Sequence, residues 1–217
     1  MANFTSVLDA SILYSAAARD LILSLAANGL YRPAWSELIH DEWMRNLIAN
    51  QGGGGRIRAY ASRTRQRMDA IFPDALIDGF QPLIASLTLP DAKDRHVLAA
   101  AIHVGAAAIV TYNLPDFPAS ELDGFGIEAW HPDGFVEFLF NYEMDAAAGR
   151  SPRASSPAPT PSENPKRIRP YANAQAANAS NRTDPTAARR TLLATLHRLA
   201  VLEHGKKGSG EVANSEK

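Results

Sequence analysis

The chain has 217 residues, enough for one domain, or for one domain and a tail. Its 46% hydrophobic and 21% charged residues suit a globular core, and the lack of cysteine excludes both a disulfide framework and a thiolate zinc site. A net charge of −1 hides an asymmetry: residues 1–149 carry 18 acidic and 10 basic side chains, whereas residues 150–217 carry 5 and 12, so an acidic body precedes a basic tail.

In chain order, Phe4–Leu8 is a short apolar run ending at Asp9 and predicts a buried strand. Ser11–Ala27 predicts one helix, with Leu21, Ile22 and Leu25 on a stripe and Gly29 as its stop. Ser36 is a suitable N-cap for a helix to about Asn50, with Ile39, Trp43 and Leu47 spaced by four. Gly52–Gly55 breaks that helix. Arg56–Phe72 predicts another, striped by Ile57, Ala61, Thr64, Met68 and Ile71. Asp94–Val104 repeats the pattern at Val97, Leu98, Ala101 and Ile102, and Gly105 stops it. Ala107–Thr111 and Gly126–Ala129 read as strands, and Pro132–Ala147 as a final helix. Strands separated by helices imply an α/β fold with a parallel sheet covered on both faces.

A boundary is expected near Gly149. The Pro-, Ala- and Ser-rich residues 150–185 read as a disordered linker, because they offer too little apolar surface to offset ordering entropy. Residues 186–204 read as an amphipathic helix, either a partner or self-association element or a helix with no docking site, and 205–217 as a disordered tail. The segment MANFTSVLDAS has no basic stretch leading into an apolar one, and no apolar run is long enough to cross a bilayer. A cytoplasmic protein with no membrane contact is the expectation.

In a parallel sheet, ligands collect outside the carboxyl ends of the strands. Asp9 ends the first strand, Asp94 opens a helix, and the Asn113–Asp116 pair follows Ala107–Thr111. Glu42 sits at the edge of a buried helical stripe, between Ile39 and Trp43. Converging carboxylates suit Mg²⁺ or Mn²⁺, which prefer hard oxygen ligands and retained water. Each residue also has a plainer reading. Asp9 and Asp116 suit turns, Asp94 suits an N-cap, and Glu42 suits a solvated pair with Arg45 or Asn46. Asp41 and Asp91 read as surface residues, and His96 and His103 as structural or solvated. Trp35, Trp43, Tyr60, Met68 and Phe72 read as packing residues. Arg56, Arg58, Arg63, Arg65 and Arg67 form a basic run that is either a solvated face or a set of phosphate contacts.

The segments Val7–Ser11, Ile39–Trp43, Leu89–Ala101 and Ile109–Pro118 resemble, in order and spacing, the successive motifs of PIN-domain proteins, and in particular the bacterial VapC-like toxin group. The resemblance covers roughly residues 4–140. It implies a three-layer α/β/α fold and a Mg²⁺- or Mn²⁺-dependent ribonuclease, with RNA as substrate, an antitoxin as partner, and a homodimer as a common assembly. Asp9, Glu42 and Asp94 match the first three acidic positions. Asn113 stands where many relatives have an acid, and Asp116 is the nearest carboxylate. Thr111 matches a hydroxyl position near the metal, and Thr111 and Asn113 are candidates for substrate contact. So, on charge grounds, are Arg56, Arg63 and Arg67 of the basic run, since RNA must approach an acidic body.

Two other functions compete. An aspartate-nucleophile phosphatase needs a second Asp two residues after the first, and Ser11 occupies that position. A non-catalytic scaffold that binds RNA or protein fits the Asn113 departure. Gly52–Gly55 follows a helix and lacks the Gly-Lys-Ser/Thr ending of a phosphate loop. No GxGxxG motif follows a strand, and no GxSxG element is present, which disfavours dinucleotide enzymes and serine hydrolases.

Overall fold

The computed structural model describes residues 4–147, with side chains through residue 142. The expected linker 150–185, helix 186–204 and tail 205–217 lie outside the described residues.

Five parallel strands form one sheet: β1 (Thr5–Leu8), β2 (Arg32–Ser36), β3 (Leu76–Ile77), β4 (Ala108–Val110) and β5 (Glu128–Trp130), in the order β3-β2-β1-β4-β5. The helices are α1 (Ala10–Tyr14), α2 (Ala16–Ala27), α3 (Glu37–Asn50), α4 (Gly55–Ile71), α5 (Arg95–His103), α6 (Ala119–Leu122) and α7 (Pro132–Ala147). The chain winds outward from β1 to β3, then crosses back over β1 to reach β4. Right-handed crossovers therefore put α1–α4 on one face and α5 on the other. Coverage on both faces explains why Ser6, Val7 and Leu8 in β1 and every residue of β4 are buried, with no polar alternation. This is the expected α/β/α arrangement.

Several elements depart from the sequence expectation. Ser11–Ala27 is two helices, broken at Ser15, whose hydroxyl accepts from the Ala18 N–H. Arg19 stabilises the break: its buried guanidinium donates to the Leu13 carbonyl at 2.6 Å, capping α1, and lies over the Trp43 ring. Strand β2 contains Pro33, which disguises it. Arg32 N–H donates to Phe4 and Trp35 N–H to Ala75, so alternation turns the Pro33 nitrogen toward β3. Pairing with β3 begins only at Trp35, so no ladder bond is lost there. The predicted strand Gly126–Ala129 is shifted to Glu128–Trp130, because Gly126 takes φ +69° in the preceding turn.

The α4 stripe is buried only at Ala61 and Met68, where it leans on α3; Ile71 is 63% exposed and Tyr60 39% exposed, so neither is a core residue. Trp35, Trp43 and Met68 are buried, as expected. A polar network joins β2, α3 and α4. Asp69 accepts from Trp35 Nε1 at 3.1 Å and from His40 Nε2 at 3.0 Å, while Trp43 Nε1 donates to His40 Nδ1 at 2.9 Å. These partners define His40 as a neutral ring protonated at Nε2, in keeping with burial, which lowers its pKa.

Candidate active site

Strands β1 and β4 are adjacent, and the chain leaves them toward opposite edges of the sheet. Their carboxyl ends therefore form the switch-point crevice of an open parallel sheet. Asp9 follows β1 there, and Thr111 follows β4. Asp9 is buried at the N-cap of α1, where Oδ1 accepts from the Ala10 N–H at 2.7 Å. Its Oδ2 accepts from the Ser11 hydroxyl at 2.6 Å and the Thr111 hydroxyl at 2.8 Å. Thr111 in turn accepts from the Asn113 N–H at 2.9 Å. Hydroxyls from two chain segments thus orient one carboxylate, so Asp9 is more than a turn residue.

Glu42 projects from α3 and Asp94 ends a 3₁₀ turn (Ala92–Asp94) before α5. The expected capping role of Asp94 is absent: its side chain makes no cap bond, and Asp91 instead accepts from the Lys93 N–H at 2.8 Å. Burial, then the charges of Asp9, Asp116, Glu42 and Asp91, push the Asp94 carboxyl up to about 7. Burial and the Asp9 charge also raise Glu42, against lowering by His96 and Arg45. The four sequence-predicted carboxylates are therefore electrostatic neighbours. Asp116 lies in a 3₁₀ turn (Leu114–Asp116) and accepts a short hydrogen bond from the Asn113 amide. Among the described residues, no three carboxylates or histidines form a ready-made metal cage. The donor set nonetheless fits a hydrated Mg²⁺ or Mn²⁺, which keeps several waters and needs few carboxylates.

Residues 5–114 match the pattern of a PIN domain, just over half of the chain. The chain belongs to the PIN-domain family. The matched span of the PIN domain includes Asp9, Glu42, Asp94, Thr111 and Asn113, and stops short of Asp116. A 58-residue stretch is 48% identical to "Putative ribonuclease VapC50" of Mycobacterium tuberculosis (strain ATCC 25618 / H37Rv). That stretch is 27% of this chain and 34% of the relative, so the chain matches about a third of the relative's length. No solved structure gives a significant match.

One residue of this PIN domain escaped the sequence reading as a site candidate. His96 is buried, its Nδ1 is 2.6 Å from the Lys93 carbonyl, and its Nε2 faces Glu42 Oε2 at 3.6 Å. A carbonyl only accepts, so Nδ1 carries a proton. At 3.6 Å, Nε2 has an ion-pair neighbour but no hydrogen-bond partner. His96 is the group in close contact with Glu42, and Arg45 acts on Glu42 through charge. The signal of His96 in the sequence was its place in the first turn of α5, two residues after Asp94. His103, by contrast, is exposed, as one of its expected readings had it.

The basic run on α4 is divided. Arg65 pairs with Glu37 and Asp69, and Arg58 donates to the Gly53 carbonyl. Arg56, Arg63 and Arg67 are exposed. No helix among the described residues is long and apolar enough to cross a membrane.

Proposed function

We propose that this chain is a divalent-metal-dependent ribonuclease, acting as the toxin of a toxin–antitoxin pair. The observation that carries this reading is the charge influence of Asp9 after β1, Glu42 on α3 and Asp116 after β4 on Asp94 before α5, beside the switch-point crevice. Asp9, Asp94 and Asp116 are the residues that would hold the ion, and Glu42 is a further ligand or a base that orients water. When bound, Mg²⁺ or Mn²⁺ would supply positive charge beside the scissile phosphate and would make water lose a proton more readily, and so become a better nucleophile. Hydrolysis joins the water oxygen to phosphorus and breaks one P–O ester bond. Glu42 accepts the proton that the attacking water gives up, and the leaving oxygen takes a proton from a solvent water. The Thr111 and Ser11 hydroxyls keep the Asp9 carboxylate aimed, and Thr111 and Asn113 line the substrate side. An antitoxin is the proposed partner, with a homodimer as the proposed assembly.

The test is incubation of the full chain with a mixed RNA pool, with Mn²⁺ or with EDTA. Cleavage only with the metal supports the reading; an RNA pool left intact under both conditions removes it. That second result would favour the scaffold reading, for which the specific observation is Asn113 tying down Asp116 through its amide.

His96→Asn keeps an amide near the Lys93 carbonyl and removes the group facing Glu42. Steady-state cleavage should fall by about 10- to 100-fold in kcat, with KM little changed. His96→Gln, which returns a polar group toward Glu42, should recover most of the loss.

RNA must approach an acidic domain, and the exposed Arg56, Arg63 and Arg67 are the proposed phosphate contacts. Replacing all three with Ala should weaken RNA binding. It should also reduce the slope of log K against log salt by about 2, at roughly 0.7 per lost phosphate contact on a single strand. An unchanged slope would leave the run a solvated face.

A further inference from the structure

We propose that the Tyr112–His131 ring pair is a stacking platform for the bases of single-stranded RNA, on the rim of the acidic crevice. The choice of ligand rests on the ribonuclease reading above.

Tyr112 lies just past β4 and His131 just past β5. Neighbouring strands stand about 5 Å apart, so Asp9, Tyr112 and His131 occupy three successive strand ends on one edge of the sheet. Two bonds tie the tyrosine to the acidic cluster. Its backbone N–H donates to Ser11 Oγ at 3.2 Å, and Ser11 Oγ donates to Asp9 at 2.6 Å. The two rings meet edge to face, with centroids 5.2 Å apart and planes at 77°. The Asp133 N–H donates to His131 Nδ1 at 3.3 Å and steadies the imidazole. Tyr112 is nonetheless 45% exposed, an aromatic surface left open beside the site rather than packed away.

Charge decides which part of RNA this edge can grip. From His96 to Gly149 the sequence contains no lysine or arginine. The side chain of Asp133 is almost fully exposed, with its carboxylate 3.4 Å from His131. No lysine or arginine of this segment therefore draws phosphates to the Tyr112–His131 rim. A base face is uncharged and stacks on an aromatic ring without a cation. A duplex hides its base faces, so the platform suits unpaired nucleotides.

The test uses the full chain carrying Asp9→Asn, so that RNA is not consumed, and a short labelled single-stranded RNA of mixed sequence followed by fluorescence anisotropy. Adding Tyr112→Ala should raise Kd by about 5- to 150-fold, the effect of losing one stacked base. Tyr112→Phe should stay within about twofold, and His131→Ala should fall between. The salt slope should be the same in all of them, since no phosphate contact is removed. A paired duplex of the same sequence should bind Tyr112→Ala and its parent equally. If Tyr112→Ala binds single strands as its parent does, the platform is overturned, and metal-dependent cleavage by the unmodified chain would still uphold the nuclease. If Tyr112 governs binding in a chain that cleaves nothing with Mn²⁺, the nuclease reading falls and the platform stands. No measurable RNA binding by the parent overturns the platform, and cleavage by the unmodified chain then decides the nuclease reading by itself.

Discussion

Asp9→Asn should reduce Mn²⁺-dependent RNA cleavage by at least about 100-fold while leaving the chain folded. The amide is nearly isosteric and its oxygen can still accept from the Ala10 N–H, so the α1 cap survives in part. The negative charge is lost, and with it one of the hard carboxylate ligands proposed for the ion. The geometry around Oδ2 is disturbed as well. Thr111 Oγ1 donates to Asp9 while accepting from the Asn113 N–H, so an NH₂ group placed at Oδ2 would meet a hydroxyl whose proton points at it. A loss of two orders of magnitude exceeds the 10- to 100-fold typical of groups that only support a ligand. A second readout separates chemistry from folding. Asp9 is the largest charge influence on Asp94 after burial itself, so the Asp94 carboxyl should titrate lower in Asp9→Asn, as followed by carboxyl-carbon NMR. Cleavage within threefold of the parent would remove Asp9 from the chemistry. An Asp94 that titrates unchanged would remove the coupling.

The metal-free protein should lose stability as pH rises from about 4 to about 7, and Mn²⁺ should restore it. The folded Asp94 carboxyl is raised to about 7 from an ordinary aspartate value near 4, and Glu42 is raised as well. Between those pH values the folded state holds more protons than the unfolded state, so unfolding becomes easier as pH increases. Above 7 the carboxylates are ionised and repel one another, and the penalty is complete. Asp94 is only half-buried, so solvent screening limits the cost to about 1–2 kcal/mol. A cation that binds the folded state competes with those protons. Saturating Mn²⁺ should therefore raise Tm by about 2–8 °C more at pH 8 than at pH 5. Equal shifts at both pH values, by calorimetry in matched ionic strength, would show that the ion binds elsewhere.

Most of the architecture was legible from local pattern. Leu8 before Asp9, Ser36 before a four-spaced Ile39, Trp43 and Leu47, and Ala108–Val110 each announce an element through a cap or a short apolar run. What escaped was built from contacts distant in sequence. Pro33 argues against a strand until one sees that its nitrogen faces an unpaired stretch of sheet edge. The two-residue β3 has no periodicity to read. Ser15 breaks a helix-like run because Arg19, buried against Trp43, caps the shorter piece.

The candidate site divides the same way. By itself the sequence determined the acidic residues, their order and the elements that carry them, because helix periods, caps and strand ends are local properties of the chain. Tertiary structure alone decided the rest: that the β3-to-β4 crossover sets Asp9 beside Thr111, that His96 comes against Glu42, and that Tyr112 meets His131. Those meetings join residues as much as 102 positions apart, as for Asp9 and Thr111. They depend on which strands become neighbours, and strand order is settled by how the whole core packs rather than by any single segment.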